Sequence, residues 1–294
     1  LKNNKEKTKA FIRIQNGCNH SCTFCVITIA RGNSESVPSG IIIDDIKTII
    51  NSGIKEVILT GVNLTSYGED LPGNYNLGKL VKKILKFVPK LKRLRISSID
   101  PAEIDNDLIE AFKYEERLMP HIHLSIQSHD NLILKRMKRR HSTKDVEDII
   151  NELKNIRQNI LFGADLIAGF PTETEDAHKN TLNAIKNLNL TFLHVFPYSP
   201  RIKTAASKMP QVLNCIRKIR AKELREYGDF QLKKALKKSI NSTQKVLVED
   251  NNGIGHSENF LTVKVLNAKN RKIHKCKIIG IENNMLIGKA YGII

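Results

Sequence analysis

The sequence predicts an α/β protein in two parts, a partial barrel of six β/α units followed by a small antiparallel β-barrel domain. Between residues 10 and 196, short β-rich runs alternate with helical patterns. From Gln244 onward the periodicity changes to strand-like alternation, with Asn/Gly turns at 251–253 and 283–284. A chain of 294 residues with an apolar fraction of 40% can form one large domain, or a large and a small one.

Six short runs are predicted to be the barrel strands, at residues 11–14, 56–60, 94–97, 122–125, 163–167 and 192–196. Helical patterns lie between them near 41–51, 78–88, 104–113, 130–155 (two helices that meet around His141 and Ser142) and 174–188. Strands joined by such helices pair in parallel, and six of them curve into an open, partial barrel more naturally than into a closed barrel of eight. The chemistry of such folds lies at the carboxyl ends of the strands.

A long basic helix is predicted after the sixth strand, over residues 212–238. The segment from 201 to 238 carries twelve Lys/Arg and three acidic residues, a net charge of +9. Further strands are predicted at 246–248, 261–265, 273–279 and 285–287. The predicted organisation is therefore an amino-terminal extension (1–9), a barrel with its trailing basic helix (10–238) and a β-domain (239–294).

The whole chain is basic, with a formal charge of +18. This excess favours a polyanionic partner such as nucleic acid, but a chain rich in Lys, Ile and Asn can also reflect genome composition, so charge alone carries little weight. No apolar run approaches the roughly 18 residues of a spanning helix, so neither a membrane span nor a signal peptide is predicted.

Three of the five cysteines lie within eight residues, as Cys18-x-x-x-Cys22-x-x-Cys25, directly after the first predicted strand. Such clustering indicates a metal site in a reducing compartment rather than a disulfide framework, and we expect a cytoplasmic protein. Three thiolates can hold three irons of a 4Fe-4S cubane and leave the fourth iron open for chemistry. Zinc is the competing interpretation, but it usually takes four ligands, and His20 is awkwardly placed to complete a tetrahedron.

This loop resembles the signature of radical S-adenosylmethionine (SAM) enzymes, with Phe24 as the aromatic residue before the third cysteine. That superfamily has the partial six-unit barrel predicted above. The resemblance implies that the reduced cluster donates an electron to SAM, which binds the open iron, and that Phe24 packs near the adenine. It assigns no catalytic side chain.

Several strand ends carry further matches, each with an ordinary structural alternative. The run from Thr60 through Gly61 to Asn63 reads either as a βα turn or as a contact to the SAM amino group. Ser125 and Gln127 either bind SAM oxygens or cap a strand end. The basic run 134–141 is either a solvated face or a phosphate contact. With the cysteines as metal ligands, the resemblance implies cofactor contacts from Phe24, Thr60, Gly61, Asn63, Ser125, Gln127, Ile167 and Gly169.

The run 59–63 followed by Tyr67-Gly68 is similar to the methylthiotransferase branch. The runs 194–201 and 208–212 resemble the threonylcarbamoyladenosine tRNA methylthiotransferases more than the isopentenyladenosine or ribosomal-protein branches. The implied reaction adds a methylthio group to C2 of N6-threonylcarbamoyladenosine at tRNA position 37. The implied partners are tRNA and a reducing electron donor protein, and no membrane.

The last β-domain resembles the RNA-gripping TRAM domain of these enzymes and carries a net charge of +4. Its aromatic residues are few, namely Phe260 and Tyr291, so we expect phosphate and shape readout more than single-base recognition.

The sequence also departs from the family. Methylthiotransferases hold a second iron-sulfur cluster on an amino-terminal domain with three more cysteines, which this sequence lacks. Cys215 and Cys276 are expected to be small buried side chains. His129 replaces a usual Gly, and Ile202-Lys203 replace a Pro-Gly pair. Either the missing domain is a separate polypeptide, or the chain is a catalytically incomplete tRNA-binding remnant.

Overall fold

The computed structural model describes residues 7–294 and contains the predicted partial barrel and the predicted β-barrel. Residues 1–6 of the predicted extension lie outside the described residues. The strands are β1 Lys9–Arg13, β2 Gln15–Asn16, β3 Glu35–Ser36, β4 Glu56–Thr60, β5 Arg93–Ile96, β6 His121–Gln127, β7 Leu161–Ala168, β8 Leu190–Pro197, β9 Thr243–Val248, β10 Ile254–Ser257, β11 Thr262–Leu266, β12 Ile273–Glu282 and β13 Met285–Ile293. The helices are α1 Ile27–Arg31, α2 Ser39–Asn51, α3 Leu77–Phe87, α4 Asn106–Tyr114, α5 Asn131–Arg136, α6 Thr143–Ile156, α7 Glu175–Asn187 and α8 Asn214–Ser239.

Six parallel strands form the partial barrel, as two three-stranded sheets ordered β1-β4-β5 and β6-β7-β8. The sheets meet where the chain leaves β5. There the Ile99 amide donates to the His123 carbonyl and the Ser125 amide donates to the Ile99 carbonyl, each at 2.9 Å. The predicted fold class is therefore confirmed.

One hydrophobic core fills the space between the outer faces of the strands and the surrounding helices. Alternate strand residues such as Val57, Leu59 and Leu94 point outward into this core, and α2, α3 and α4 cover it with Ile46, Leu80 and their neighbours. Side chains of the intervening positions face the lumen, the space that the six strands enclose.

The segment between β1 and α2 contains structure that the sequence did not predict. The short strands β2 and β3 pair antiparallel, and the one-turn helix α1 lies between them after the cysteines. Both strands are two residues long, and a ladder this short leaves no periodic pattern to read.

The closing β-domain is a closed five-stranded barrel, in the order β10-β11-β13-β12-β9. Four of these strands correspond to predicted runs, and β10 was missed. At Gly255, in the middle of β10, an added Cβ would lie 1.9 Å from the Leu247 carbonyl oxygen, so the neighbouring strand can approach only a glycine. Strands β11 and β13 pair in parallel, whereas the other pairs are antiparallel.

The β-domain closes the barrel at the amino ends of its strands, away from the cysteine loop. Arg93 at the start of β5 donates to the carbonyls of Lys245 and His256, at 2.7 and 3.1 Å. Arg95 donates to the carbonyls of Ser257 and Glu258, at 2.8 and 2.9 Å. Both arginines are buried around the fully buried carboxylate of Glu56.

The aromatic ring of Phe260 belongs to the same contact. It stacks between His121 and His256, with ring centroids 4.7 and 4.9 Å away, and the Arg95 guanidinium lies 5.1 Å from its centroid. Of the two aromatic residues in the β-domain, Phe260 thus packs inside the protein and Tyr291 is exposed.

Candidate functional site

The three clustered cysteines lie in the loop that follows β1, at the carboxyl end of the barrel. The Cys18 amide donates to the Gly32 carbonyl at 3.1 Å, and the Cys25 amide donates to the Cys22 carbonyl at 3.1 Å. The Thr28 hydroxyl donates to the carbonyls of Cys18 and His20. All three cysteines are free and half-buried, so their thiol groups remain partly accessible at the barrel mouth.

Hydrogen-bond donors surround the thiol groups of the three cysteines. The amides of His20 and Ile27 lie 3.4 Å from the Sγ atoms of Cys18 and Cys25, and Arg139 Nη1 lies 3.8 Å from Cys22 Sγ. Burial raises the pKa of the Cys18 and Cys22 thiols, and Arg139 acts in the opposite direction on Cys22. Iron binding therefore has to displace protons from these thiols, while the donors stabilise the thiolates once the metal is bound.

His20 is not arranged as a fourth metal ligand. Its ring lies between Asn63, whose amide is 3.2 Å from Nε2, and Glu103, whose carboxylate oxygen is 3.3 Å from Nε2. Asp100 and Arg140 also contact this ring. The histidine therefore belongs to a polar group beside the cysteine loop.

The donor set fits an iron-sulfur cluster better than a single ion. Among residues 7–294, the His, Cys, Asp and Glu groups whose ligand atoms converge within 4.8 Å are His20-Asp100-Glu103 and His123-Asp165-His194, and the cysteine trio is not one of them. Ligands of one tetrahedral ion converge closely, whereas three thiolates that each bind a different iron stand farther apart. Cys18, Cys22 and Cys25 would hold the cluster.

Phe24 and Ile167 lie together at one side of this loop. Phe24 meets Phe170 edge to face, with centroids 6.4 Å apart, and Ile167 packs against the same small cluster, which includes Met137. Gly169 follows at φ +69°, and an added Cβ would lie 2.5 Å from Cγ of Arg217. The structure thus brings three of the predicted cofactor residues to one apolar wall.

Thr60, Gly61 and Asn63 lie at the carboxyl end of β4, beside a residue that sequence reasoning missed. The side chain of Gln15 is fully buried, and its Oε1 accepts hydrogen bonds from the amides of Val62 and Asn63, each at 2.9 Å. Its Nε2 donates to the Gly17 carbonyl and to Ser34 Oγ, each at 2.8 Å. A Cβ on Gly61 would lie 3.0 Å from Gln15 Oε1 and 2.9 Å from Leu64 Cδ2, so a larger residue here would push against both side chains.

Ser125 and Gln127 lie past the middle of β6. The Ser125 hydroxyl is 3.4 Å from Asp165 Oδ2, and its carbonyl accepts a hydrogen bond from Arg139 Nη2 at 2.8 Å. Gln127 has φ +68°, at a register shift in the pairing with β7. The predicted cofactor residues therefore surround the barrel mouth on several strands.

The arginines of the basic run 134–141 contact other protein groups, which neither of the two alternatives that the sequence left open describes. Arg139 points inward, is 7% exposed and contacts Asp100 at 2.7 Å, so it is neither solvated nor free for phosphate. Arg136 donates to the Thr172 hydroxyl at 2.7 Å, and Arg140 contacts Glu103 at the mouth. The partners Asp100, Glu103 and Thr172, which sequence reasoning missed, are more than 30 residues away along the chain.

The remaining departures have structural counterparts. Lys203, where the family has Gly, adopts φ +73°, a conformation that favours glycine, and Ile202 is 89% exposed.

Cys276 is buried in β12 as expected, but Cys215 is exposed on α8, so its predicted burial was wrong. It sits on the helix face that points away from the barrel, which a helical pattern with few apolar residues did not reveal. His129 pairs with Glu147 at 3.1 Å outside the barrel.

Comparison with known proteins places this geometry in a family, because residues 12–185 match the Radical SAM superfamily. The chain belongs to the radical SAM superfamily. Its fold is shared with the radical SAM methyltransferase TsrM from Kitasatospora setae, with a TM-score of 0.55, 16% identity and coverage of 69% of this chain and 38% of that one. It is also shared with methylornithine synthase PylB, with a TM-score of 0.52, 17% identity and coverage of 76% and 64%.

Curated relatives are more similar in sequence. Threonylcarbamoyladenosine tRNA methylthiotransferase MtaB of Rickettsia prowazekii is 49% identical over 95% of this chain, and that of Bacillus subtilis is 34% identical over 93%. The tRNA-2-methylthio-N6-dimethylallyladenosine synthase of Ehrlichia canis is 39% identical over 70% of this chain. The chain spans 66%, 63% and 46% of the lengths of these three relatives. In residues 7–294, no helix has the length and apolarity to cross a membrane.

Proposed function

We propose that this superfamily member acts in tRNA methylthiolation, adding a methylthio group to C2 of N6-threonylcarbamoyladenosine at position 37. The observation that carries the proposal is the three-cysteine loop at the mouth of a polar barrel lumen. It is supported by similarity over 95% of the chain to a protein named for this activity. A cytoplasmic location belongs to the same proposal, together with a reducing electron donor protein.

Each group of residues has a distinct part in the proposed reaction. Cys18, Cys22 and Cys25 would hold a 4Fe-4S cluster, and that cluster would supply the electron for reductive cleavage of SAM. The wall of Phe24, Ile167 and Gly169 would receive the SAM adenosine. The polar strand ends at Thr60, Gly61, Asn63, Ser125 and Gln127 would bind its ribose and amino-acid groups. The barrel walls and the β-domain floor exclude water from the reactive centre.

The outer face of the β-domain is the proposed tRNA surface. Lys277 and Lys289 are direct cross-strand partners on β12 and β13, and Lys275 lies two residues before Lys277 on the same face. All three are exposed, with the exposed ring of Tyr291 beside them. In contrast, Arg217 and Arg220 of the basic helix α8 are buried against the barrel, so not all of its charge is available for phosphate.

Replacing Lys275, Lys277 and Lys289 together with Gln is expected to weaken tRNA binding and to flatten its salt dependence. Each lost phosphate contact lowers the log-log slope by roughly 0.7–0.9, so the slope should fall by about 2 to 3 units. Fluorescence anisotropy across a salt series measures both quantities. The matched control replaces three exposed lysines on the outside of the partial barrel, Lys86 on α3, Lys90 in the turn after α3 and Lys113 on α4. Equal losses in both triple variants would show that the positive charge acts diffusely.

Substitution separates RNA binding from SAM chemistry more cleanly than deletion of residues 240–294 does. Deletion would remove the carbonyls that Arg93 and Arg95 bind and would uncover Glu56. A loss of activity after deletion would therefore report unfolding as well as lost RNA contact.

The product assay tests the proposed function. Anaerobically reconstituted chain, reductant, SAM and tRNA that carries N6-threonylcarbamoyladenosine are incubated, and nucleosides are analysed by mass spectrometry. We expect 2-methylthio product only when a separate methylthiotransferase domain with a second cluster is added, because no second trio of clustered cysteines is present in this sequence. Product from the chain alone would contradict the proposed sulfur source. If SAM is cleaved neither by the chain alone nor after the domain is added, the result would favour the alternative that the chain is a catalytically incomplete tRNA-binding remnant.

A further inference from the structure

Three side chains on adjacent strands form a group in the lumen that the proposed chemistry does not use. His123 on β6 and His194 on β8 both contact Asp165 on β7, and the cross-strand partner of Asp165 is His194. His123 Nε2 lies 3.0 Å from Asp165 Oδ1, and His194 Nδ1 lies 3.1 Å from the same oxygen. The centroids of the two imidazole rings are 4.4 Å apart.

The neighbouring backbone is shaped to hold this group. Gly163 lies beside His123 in the pairing of β6 with β7, and an added Cβ would be 2.3 Å from His123 Nδ1. A larger residue at 163 would therefore push the imidazole away from Asp165. His123 is buried, whereas the side chain of His194 is 64% exposed to the open lumen.

A short series of contacts joins the group to the cysteine loop. Asp165 Oδ2 is 3.4 Å from the Ser125 hydroxyl, the Ser125 carbonyl accepts from Arg139 at 2.8 Å, and Arg139 is 3.8 Å from Cys22 Sγ. The group thus lies just inside the mouth, where a substrate base held for reaction near the cluster would place its substituents.

We propose that His194, oriented by Asp165 together with His123, binds the polar, anionic N6 substituent of the substrate adenosine and so selects it over a hydrocarbon substituent. This inference rests on the proposed function. The named activities of the relatives differ in this substituent, threonylcarbamoyl in one branch and dimethylallyl in the other. The threonylcarbamoyl group carries a carboxylate, a hydroxyl and a urea group, whereas the dimethylallyl group is purely hydrocarbon.

The chemistry of the group suits the first substituent. Among residues 7–294, Nδ1 of His194 is engaged by Asp165 and no hydrogen bond to Nε2 is present. Nε2 is therefore available to a ligand, as an acceptor from a hydroxyl or urea N–H when the ring is neutral and as a donor to a carboxylate when the ring is protonated. An apolar dimethylallyl group would leave these polar atoms desolvated and unpaired, which disfavours it.

The test compares binding of two anticodon stem-loop RNAs, one with N6-threonylcarbamoyladenosine and one with unmodified adenosine. The cluster-reconstituted chain is expected to prefer the modified RNA by at least about tenfold, the effect of one hydrogen bond to a charged group. His194→Phe should lose this preference and bind unmodified RNA as the parent does. Asp165→Asn, which alters a positioning residue, should reduce the preference in the same way.

The control variant is His129→Phe, which breaks a histidine-carboxylate pair outside the barrel and should keep the full preference. An unchanged preference in His194→Phe would overturn the inference while RNA binding, and with it the proposed function, stands. Absence of binding to either RNA would overturn both. One equivalent of zinc or manganese in the parent that is absent from His194→Phe would also overturn the inference, because the group would then be a metal site.

Discussion

Replacing Glu56 with Gln is expected to destabilise the folded chain by about 3–5 kcal/mol, the usual result of removing one partner from a buried charge network. Glu56 is fully buried, with Arg95 Nε at 3.0 Å and with Arg93 and Lys9 each at 3.6 Å. Without the carboxylate, two buried guanidinium groups are left with no opposite charge at their centre. Urea unfolding followed by circular dichroism measures the loss.

The matched control is Glu226→Gln on α8, where an exposed carboxylate pairs with Lys222 at 3.8 Å. Exposed pairs of this kind contribute at most about 1 kcal/mol, so its unfolding midpoint should barely move. If Glu56→Gln unfolds at the same urea concentration as the parent, the charge network does not join the two barrels.

The effect of Glu56→Gln should depend on pH. Burial by itself would raise the pKa of Glu56, but Arg95, Lys9 and Arg93 hold it below its usual value of 4.5. A lowered folded-state pKa contributes stability that is present above pH 4.5 and is lost as pH falls through the folded-state value. The difference between parent and variant should therefore be constant near neutral pH and shrink in acid.

Replacing Cys22 with Ala is expected to abolish iron-sulfur cluster binding, lowering iron from about four atoms per chain to nearly none. The variant keeps only two of the three cysteine ligands. The one it loses, Cys22 in the half-buried loop, has its Sγ atom 3.8 Å from Arg139 Nη1. Iron analysis and visible absorbance after anaerobic reconstitution measure the loss, and circular dichroism confirms that the variant is folded.

Cys215→Ala is the matched control, because this cysteine is exposed on α8 and lies far along the chain from the loop. It should retain full iron content. Tight, stoichiometric zinc in the parent chain, with no iron-sulfur absorbance, would contradict the assignment of the cysteine loop.

The sequence predicts the barrel strands and the cysteine loop well, because both depend on local patterns. Apolar runs such as 56–60 fill the interior of a parallel sheet, and three cysteines within eight residues stand out in any chain. The residues that support the site were missed for the opposite reason. Gln15 looks like a solvated turn residue after a strand, and its burial follows only from loops that return from residues 34 and 62.

The junction of the two barrels was equally invisible. Glu56, Arg93 and Arg95 lie at the starts of two strands, where charged residues normally face water. Their burial requires a second domain to dock there, and no periodicity in β4 or β5 reports what covers the end of a barrel. The group of His123, Asp165 and His194 is likewise assembled from three strands by register alone.

Quantifying 5′-deoxyadenosine is the most direct test of the central claim that this chain forms a complete SAM-cleaving site. The reconstituted chain is incubated anaerobically with dithionite and SAM and analysed by liquid chromatography and mass spectrometry, beside Cys22→Ala and Cys215→Ala. We expect 5′-deoxyadenosine from the parent and from Cys215→Ala, and none from Cys22→Ala. A parent chain that holds its cluster but forms no 5′-deoxyadenosine, or a Cys22→Ala chain that forms as much as the parent, would contradict the claim.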